Sequence, residues 1–104
     1  ANSLKILHSR WLMTTKAEKE RYAKLARIGC VLCHHLQRGF TEPQMHHIRK
    51  YGGKRELAPT IPLCFNHHTG PEGVHYMGRK RFEAHFEITQ EELLELTENL
   101  LASA

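Results

Sequence analysis

Aspartate is absent from this chain of 104 residues, and all eleven acidic side chains are glutamates. This absence excludes calcium loops of the EF-hand type and sites that hold two metal ions on clustered aspartates, because both depend on aspartate oxygens. The chain also lacks the run of about 20 apolar residues that a membrane-spanning helix needs. We therefore expect no membrane segment.

Cysteine is scarce, with three residues at positions 30, 33 and 64. An odd number argues against a framework built purely of disulfides. Cys30-Val-Leu-Cys33, followed much later by Cys64, is instead typical of metal binding in a reducing compartment. A redox role has no support, because no thioredoxin-like βαβ pattern surrounds the first pair. The sequence therefore predicts a cytoplasmic protein whose thiols hold a metal.

The length suits one domain with a modest core, because a chain of this size buries roughly two-thirds of its unfolded surface. Lysine and arginine number 15 against 11 acidic residues, so the formal net charge is +4 with nine histidines neutral. An excess of basic residues attracts polyanions, among which nucleic acid is the first candidate. Net charge alone is weak evidence for nucleic-acid binding, because many basic proteins bind none.

Local patterns predict the organisation of the chain. Capping boxes begin two helices, with Thr15 and Thr89 as the N-caps. Segments 44–49 and 60–63 are interpreted as short strands around a basic loop, and segment 64–68 as a short helix. The predicted organisation is one domain over residues 1–104, with an extended tail at 1–14, a helix at 15–28, a metal-binding core at 30–75 and C-terminal helices at 79–101.

Two metal-binding spacings point to one site, Cys30-x-x-Cys33 and Cys64-x-x-His67. If position 64 opens a helix, Cys64 and His67 share a helix face. The four residues form a Cys₃His set, which is a common structural zinc site. The paired spacings disfavour the alternative that the cysteines are merely buried apolar groups. Zinc would contribute on the order of 10 kcal/mol of apparent folding free energy, which compensates for a modest core.

Two adjacent histidine pairs are present, His46-His47 and His67-His68. Neighbours on a helix point about 100° apart, so His67 and His68 face different sites. Neighbours on a strand point to opposite faces, so one of His46 and His47 can bind a second metal while the other acts as a base. On spacing alone, His75 fits a surface residue as well as a ligand. The remaining histidines are interpreted as surface or satisfied core residues: His8, His34, His35 and His85.

Basic residues flank this block in two groups. Such charges often serve solubility alone, but beside a candidate metal site they are placed to hold phosphates without reading sequence. The predicted nucleic-acid contacts are Arg49, Lys50, Lys54 and Arg55 in the glycine-rich loop and Arg79, Lys80 and Arg81 beyond it.

Two segments resemble motifs of the HNH, or ββα-metal, nuclease superfamily: Met45-His46-His47-Ile48 and Ile61-Pro62-Leu63-Cys64-Phe65-Asn66-His67-His68. More narrowly, the chain resembles the phage recombination-enhancement (Ref-like) nucleases, which act with RecA. That narrower resemblance adds three segments: Glu20-Arg21-Tyr22, Gly73-Val74-His75 and Arg81-Phe82-Glu83. It implies an α+β fold, a small ββα-metal core with a Cys₃His zinc site flanked by N- and C-terminal helices.

The resemblance also implies roles for individual residues. His46, His68 and His75 would bind a catalytic metal, and His47 would be the general base. Where the family pattern has the asparagine of the HNH name, this chain has Pro59. In the superfamily that asparagine helps to hold the loop supporting the base, so another group does this here or activity is reduced. The structural zinc ligands would be Cys30, Cys33, Cys64 and His67.

The implied reaction is metal-assisted hydrolysis of DNA phosphodiester bonds, with His47 taking a proton from water. Imidazole ligands suit transition metals, and an open site with waters also accepts Mg²⁺ or Mn²⁺. The resemblance further implies phage recombination with RecA filaments in the cytoplasm of a bacterial host. The alternative is a zinc-stabilised DNA-binding or recruitment module without catalysis. Pro59 favours that alternative, and the retained histidines argue against it.

Overall fold

The computed structural model describes residues 15–49 and 59–103. The predicted tail at 1–14, His8, and the loop residues Lys50, Lys54 and Arg55 lie outside the described residues. In chain order the elements are α1 (Lys16–Ile28), α2 (Val31–His35), β1 (Pro43–His47), β2 (Thr60–Cys64), α3 (Phe65–His68), α4 (Val74–Met77), α5 (Arg79–Phe86) and α6 (Gln90–Ser103). The prediction of a mixed fold of helices and strands is confirmed. None of the described helices is long and apolar enough to span a membrane.

Strands β1 and β2 form an antiparallel two-stranded sheet, in which Pro43 pairs with Cys64 and His47 pairs with Thr60. The first strand begins one residue earlier and ends two residues earlier than the predicted segment 44–49. Every residue of β2 is buried, because the strand packs against α1, α2, α3 and α6. Pro62 is accommodated within β2 because this strand has a single neighbour among the described strands. This buried strand runs directly into α3 and therefore fixes where α3 begins.

Both predicted capping boxes are present. The hydroxyl of Thr15 accepts a hydrogen bond from the amide of Glu18 at 3.0 Å at the start of α1. At the start of α6 the hydroxyl of Thr89 accepts from the amide of Glu92 at 3.0 Å, and the Glu92 carboxylate accepts from the Thr89 amide at 2.9 Å. Gly29 ends α1 with φ of 81°, a conformation that favours glycine. These bonds set where the two longest helices begin and where α1 ends.

Two short helices were not predicted. Helix α2 follows Cys30, whose sulfur accepts a hydrogen bond from the amide of Cys33 at 3.4 Å. It extends over His34 and His35, where the sequence has no helical period. Helix α4 has four residues, Val74–Met77. Neither helix is long enough to show two turns of apolar periodicity, which is the signal a sequence pattern requires.

The core lies between β2 and the surrounding helices. Phe82 from α5 and Leu93 from α6 are fully buried beside Ile61 and Leu63 of β2. Leu25 of α1 is also fully buried. Two further leucines of α6 pack half-buried against the same cluster: Leu96 and Leu100. The sheet and both long helices thus form one frame for the functional residues.

Candidate functional site

Four side chains meet at the junction of α2, β2 and α3. Cys30 is the N-cap of α2, Cys33 lies in its first turn, and Cys64 ends β2 as the N-cap of α3. His67 follows three residues later within α3, as the predicted spacing requires. All four are buried, and their ligand atoms lie within 4.8 Å of one another. We call these residues the Cys₃His cluster.

The distances within the Cys₃His cluster match a tetrahedral zinc site. With Zn–S near 2.3 Å and Zn–N near 2.0 Å, the tetrahedron edges are about 3.8 Å between sulfurs and about 3.5 Å between sulfur and nitrogen. The sulfurs of Cys33 and Cys64 are 3.9 Å apart. His67 Nδ1 lies 3.6 Å from the sulfur of Cys30, 3.7 Å from Cys33 and 3.2 Å from Cys64. The cluster is therefore compatible with a structural metal such as zinc.

Electrostatics within this cluster also fit a bound cation. Burial raises the pKa of the Cys30 thiol to about 12, and it raises the pKa of Cys64 as well. Burial lowers the pKa of His67, which keeps the imidazole neutral. Thiolates in such a place form only when a positive charge compensates for the lost hydration, and a divalent metal supplies that charge. These four residues are therefore better explained as zinc ligands than as three unbound thiols beside a histidine.

A second cluster, which we call the histidine cluster, consists of His46, His68 and His75. They come from β1, α3 and α4, and one nitrogen from each lies within 4.8 Å of the others. The Nε2 atoms of His68 and His75 are 3.1 Å apart. Two nitrogens bound to one metal at about 2.1 Å lie about 3.0 Å apart at octahedral positions and about 3.4 Å apart at tetrahedral ones. This spacing therefore fits a shared metal.

Two glutamines set the ring orientations in the histidine cluster. His46 Nε2 donates to the side-chain oxygen of Gln90 at 2.7 Å, and His68 Nδ1 donates to that of Gln44 at 2.8 Å. Each bond assigns the proton to one ring nitrogen and leaves the lone pair on the other. Metal-binding histidines usually have such a partner on the second nitrogen. Nδ1 of His46 and Nε2 of His68 are thereby the atoms available to a metal.

Burial favours the neutral form of His46 and His68. The pKa of His46 falls to about 4, chiefly because the ring is buried and secondarily because other histidines lie beside it. Burial also lowers the pKa of His68, and nearby His75 lowers it further. Only the neutral imidazole binds a metal, so these shifts favour binding near neutral pH.

The backbone before α4 brings His75 to His68. A side chain at Gly73 would place its Cβ 2.6 Å from the carbonyl oxygen of His68, a distance that real Cβ atoms do not show. The Gly73 amide instead donates to the carbonyl of Gly70 at 2.9 Å, which closes the turn between α3 and α4. A glycine at position 73 therefore permits the close approach that the histidine cluster needs.

His46 and His47 line the same cleft although they are neighbours on a strand. The cleft has a volume of about 250 Å³ and is also lined by Met45 and Arg49, together with His68 and His75. His46 is buried within the histidine cluster, whereas His47 is half-buried and contacts Tyr22 of α1. The cleft reaches both side chains because it lies at the end of β1. The two histidines therefore have different environments, and their two roles stay a prediction.

The predicted phosphate contacts divide into two groups in the structure. Arg49 is exposed and lines the cleft, and Arg79 lines the adjoining hollow beside His75. Arg79 also forms ion pairs with Glu83 and Glu91. The remaining two described members of the prediction are exposed on α5 and do not line these two hollows: Lys80 and Arg81.

The other described histidines have ordinary surroundings. His34 Nε2 lies 2.8 Å from the carbonyl oxygen of Ile28 at the end of α1. His85 pairs with Glu72 at 3.0 Å on the surface, and His35 is exposed. These environments agree with their interpretation as surface residues.

Three residues near the cleft were not predicted from sequence as site members: Tyr22, Gln44 and Gln90. Tyr22 stands in a segment that carries the family resemblance, which is a weak signal for it. Gln90 follows the N-cap of α6 and is buried, and a buried amide requires a partner. Nothing in the sequence near Gln44 marks it.

No family model, curated protein or solved structure matches the chain.

Proposed function

We propose that the chain is a metal-dependent endonuclease of the HNH type that hydrolyses phosphodiester bonds in DNA. The observation that carries this proposal is the histidine cluster, where three imidazoles converge beside a fourth, His47, in an open cleft. The order β1, β2, α3 supplies a ββα unit around that cleft, and the Cys₃His cluster would hold structural zinc beneath it. A protein that only binds DNA has no need of four converging histidines.

In this proposal His46 Nδ1, His68 Nε2 and His75 would hold one divalent ion, which is Mg²⁺, Mn²⁺ or another divalent metal. When bound, such an ion stabilises negative charge on the phosphoryl group and on the departing 3′ oxygen. His47 accepts a proton from the attacking water as general base.

Positive side chains at the cleft would hold the flanking phosphates. Arg49 is exposed at the cleft wall and is the first of these contacts. Arg79 is held by its glutamate partners beside the adjoining hollow, so it would offer charge from one fixed position. The other predicted contacts in this proposal are Lys50, Lys54, Arg55, Lys80 and Arg81. Through the resemblance, the proposal extends to phage recombination on DNA coated by RecA.

The second candidate is a zinc-stabilised DNA-binding or recruitment module that does not cut DNA. Pro59 favours it, because proline has no side-chain amide with which to support a base. Pro59 is exposed, and its carbonyl oxygen accepts from the amide of Ile48 at 2.9 Å. This position therefore extends the backbone pairing of the sheet and contributes no polar side chain to the cleft.

Incubation of the zinc-loaded protein with supercoiled plasmid and with single-stranded DNA tests the proposal. Each substrate is tried with Mg²⁺ and with Mn²⁺, in the presence and absence of RecA filaments. We expect metal-dependent cutting that His47→Ala reduces by on the order of 10²- to 10⁴-fold, because a general base contributes that much. His35→Ala is the matched control, since this histidine is exposed on α2 and does not line the cleft.

Three outcomes separate the candidates. Cutting that is lost in His47→Ala with zinc content and melting temperature unchanged supports the nuclease. Cutting that requires RecA supports the narrower family as well. Tight DNA binding with no cutting under any condition would establish the binding module instead.

A further inference from the structure

A general base needs a group that fixes its ring and its protonated nitrogen. In this chain the family position for that support is occupied by Pro59, whose side chain has no donor or acceptor. The structure brings a different polar side chain to His47. The hydroxyl of Tyr22 lies 3.3 Å from His47 Nε2.

Tyr22 is held firmly beside the sheet. The residue before it, Arg21, donates to the carbonyl of Thr60 in β2 at 2.7 Å and pairs with Glu98 of α6 at 2.7 Å. Helix α1 also packs against both strands and against α6. The rings of Tyr22 and His47 meet edge to face, with centroids 6.5 Å apart and planes at 84°. The phenol therefore approaches His47 from a helix that is anchored to the sheet and to α6.

A carboxylate behind the phenol decides the direction of the hydrogen bond. The Tyr22 hydroxyl donates to a carboxylate oxygen of Glu18 at 3.5 Å. Glu18 lies one turn before Tyr22 in α1, and its carboxylate is held by the capping box with the N-cap residue Thr15. When the phenol donates to Glu18, its oxygen is left to accept a hydrogen bond from His47. In that arrangement His47 would carry its proton on Nε2 and its lone pair on Nδ1.

We propose that Tyr22, backed by Glu18, is the positioning residue of His47 and performs the supporting role for which Pro59 is unsuited. This chain of hydrogen bonds from Glu18 through Tyr22 to His47, which we call the relay, fixes the ring and selects the Nε2–H tautomer. Nδ1 is then the nitrogen that accepts the proton from water. This inference rests on the proposed nuclease function for its kinetic consequence. Its structural part, the tautomer of His47, stands independently of any activity.

The kinetic test compares Tyr22→Phe with Tyr76→Phe, a matched loss of a hydroxyl from an exposed tyrosine. We expect Tyr22→Phe to lower kcat by on the order of tenfold, the low end for partners that orient a functional histidine, with KM for DNA unchanged. Tyr76→Phe should keep the wild-type kcat. In a His47→Ala background the Tyr22→Phe change should have no further effect, because the side chain it orients is gone.

Either of two kinetic results would overturn the proposal. One is an unchanged kcat in Tyr22→Phe. The other is a loss that persists undiminished in the His47→Ala background, which would mean that Tyr22 supports the fold rather than the base. Melting temperatures of all variants accompany the rates, so that a folding defect is recognised directly.

The tautomer is read without DNA by long-range ¹H–¹⁵N spectra of the zinc-loaded, ¹⁵N-labelled protein near neutral pH. We expect the Nε2–H pattern for His47 in the wild type and in Tyr76→Phe, and a mixture of tautomers in Tyr22→Phe. An Nδ1–H wild type, or identical patterns in wild type and Tyr22→Phe, would refute the relay. A protein that never cuts DNA but shows the expected shift would overturn the nuclease proposal and leave the relay intact.

Discussion

Removal of the zinc that we expect in the Cys₃His cluster is the perturbation with the largest expected effect on this protein. The cluster ties the start of α2 to the end of β2 and to α3, which are the elements that surround the core. Its ligands are nearly inaccessible, with relative exposures from 0 to 4%. Two changes remove the metal, a strong chelator added to the wild type and the substitution Cys30→Ser.

The magnitude follows from comparing zinc with the rest of the fold. Structural zinc contributes on the order of 10 kcal/mol of apparent folding free energy at neutral pH. Small domains have total unfolding free energies of about 5–15 kcal/mol. The sheet has two strands among the described elements, and several helices are a single turn long, so little else compensates. We therefore expect the zinc-free chain to be largely unfolded at room temperature.

The assay combines elemental analysis with circular dichroism and thermal unfolding. The wild type and the control His35→Ala, an exposed histidine on α2, should contain one zinc per chain and unfold cooperatively. Chelated protein and Cys30→Ser should lose both the zinc and the cooperative transition. A zinc-free chain that keeps the same helical signal and melting temperature would refute the reasoning. So would a Cys30→Ser variant that retains one tightly bound zinc.

Three further changes test the packing around the cleft. In Gly73→Ala the new Cβ would lie 2.6 Å from the carbonyl oxygen of His68. Mn²⁺ binding measured by calorimetry should therefore weaken, while zinc is retained. An unchanged affinity for Mn²⁺ would contradict this prediction. Gln90→Leu removes the acceptor of His46 Nε2 and should weaken Mn²⁺ binding by roughly 10- to 100-fold in the same titration. Equal affinities would show that this hydrogen bond does not hold the ring. Leu93→Ala opens a cavity at a fully buried position, so the free energy of unfolding measured in urea should fall by about 2–5 kcal/mol. A loss under about 1 kcal/mol would mean that neighbouring side chains fill the cavity.

The histidine cluster and the Cys₃His cluster together contain four of the nine histidines in the chain. In the proposed function one cluster stabilises the fold and the other performs chemistry, and the adjacent residues His67 and His68 belong to different clusters. A single short helix, α3, therefore connects the Cys₃His cluster to the cleft. Loss of zinc should consequently abolish Mn²⁺ binding at the cleft as well.

Local spacing in the sequence was sufficient to predict several features. The capping boxes at Thr15 and Thr89 are predictable because their hydrogen bonds join residues three apart. The same holds for Cys64 and His67, whose shared face depends only on the helical repeat. Helical geometry also separated His67 from His68, which belong to different clusters. These features depend on short-range geometry that any chain with the same local sequence would share.

Tertiary structure decided the rest. Gln90 reaches His46 across 44 positions of sequence, and Tyr22 reaches His47 across 25. No local pattern contains such partners, because they depend on how α6 and α1 pack against the sheet. The end of β1 likewise brings both histidines of one pair to a single cleft, against simple strand alternation. The sequence by itself predicted candidate metal ligands, because residue type and spacing are local. Tertiary contacts with Gln90 of α6 and Gln44 of β1 determined which nitrogens of His46 and His68 are available to a metal.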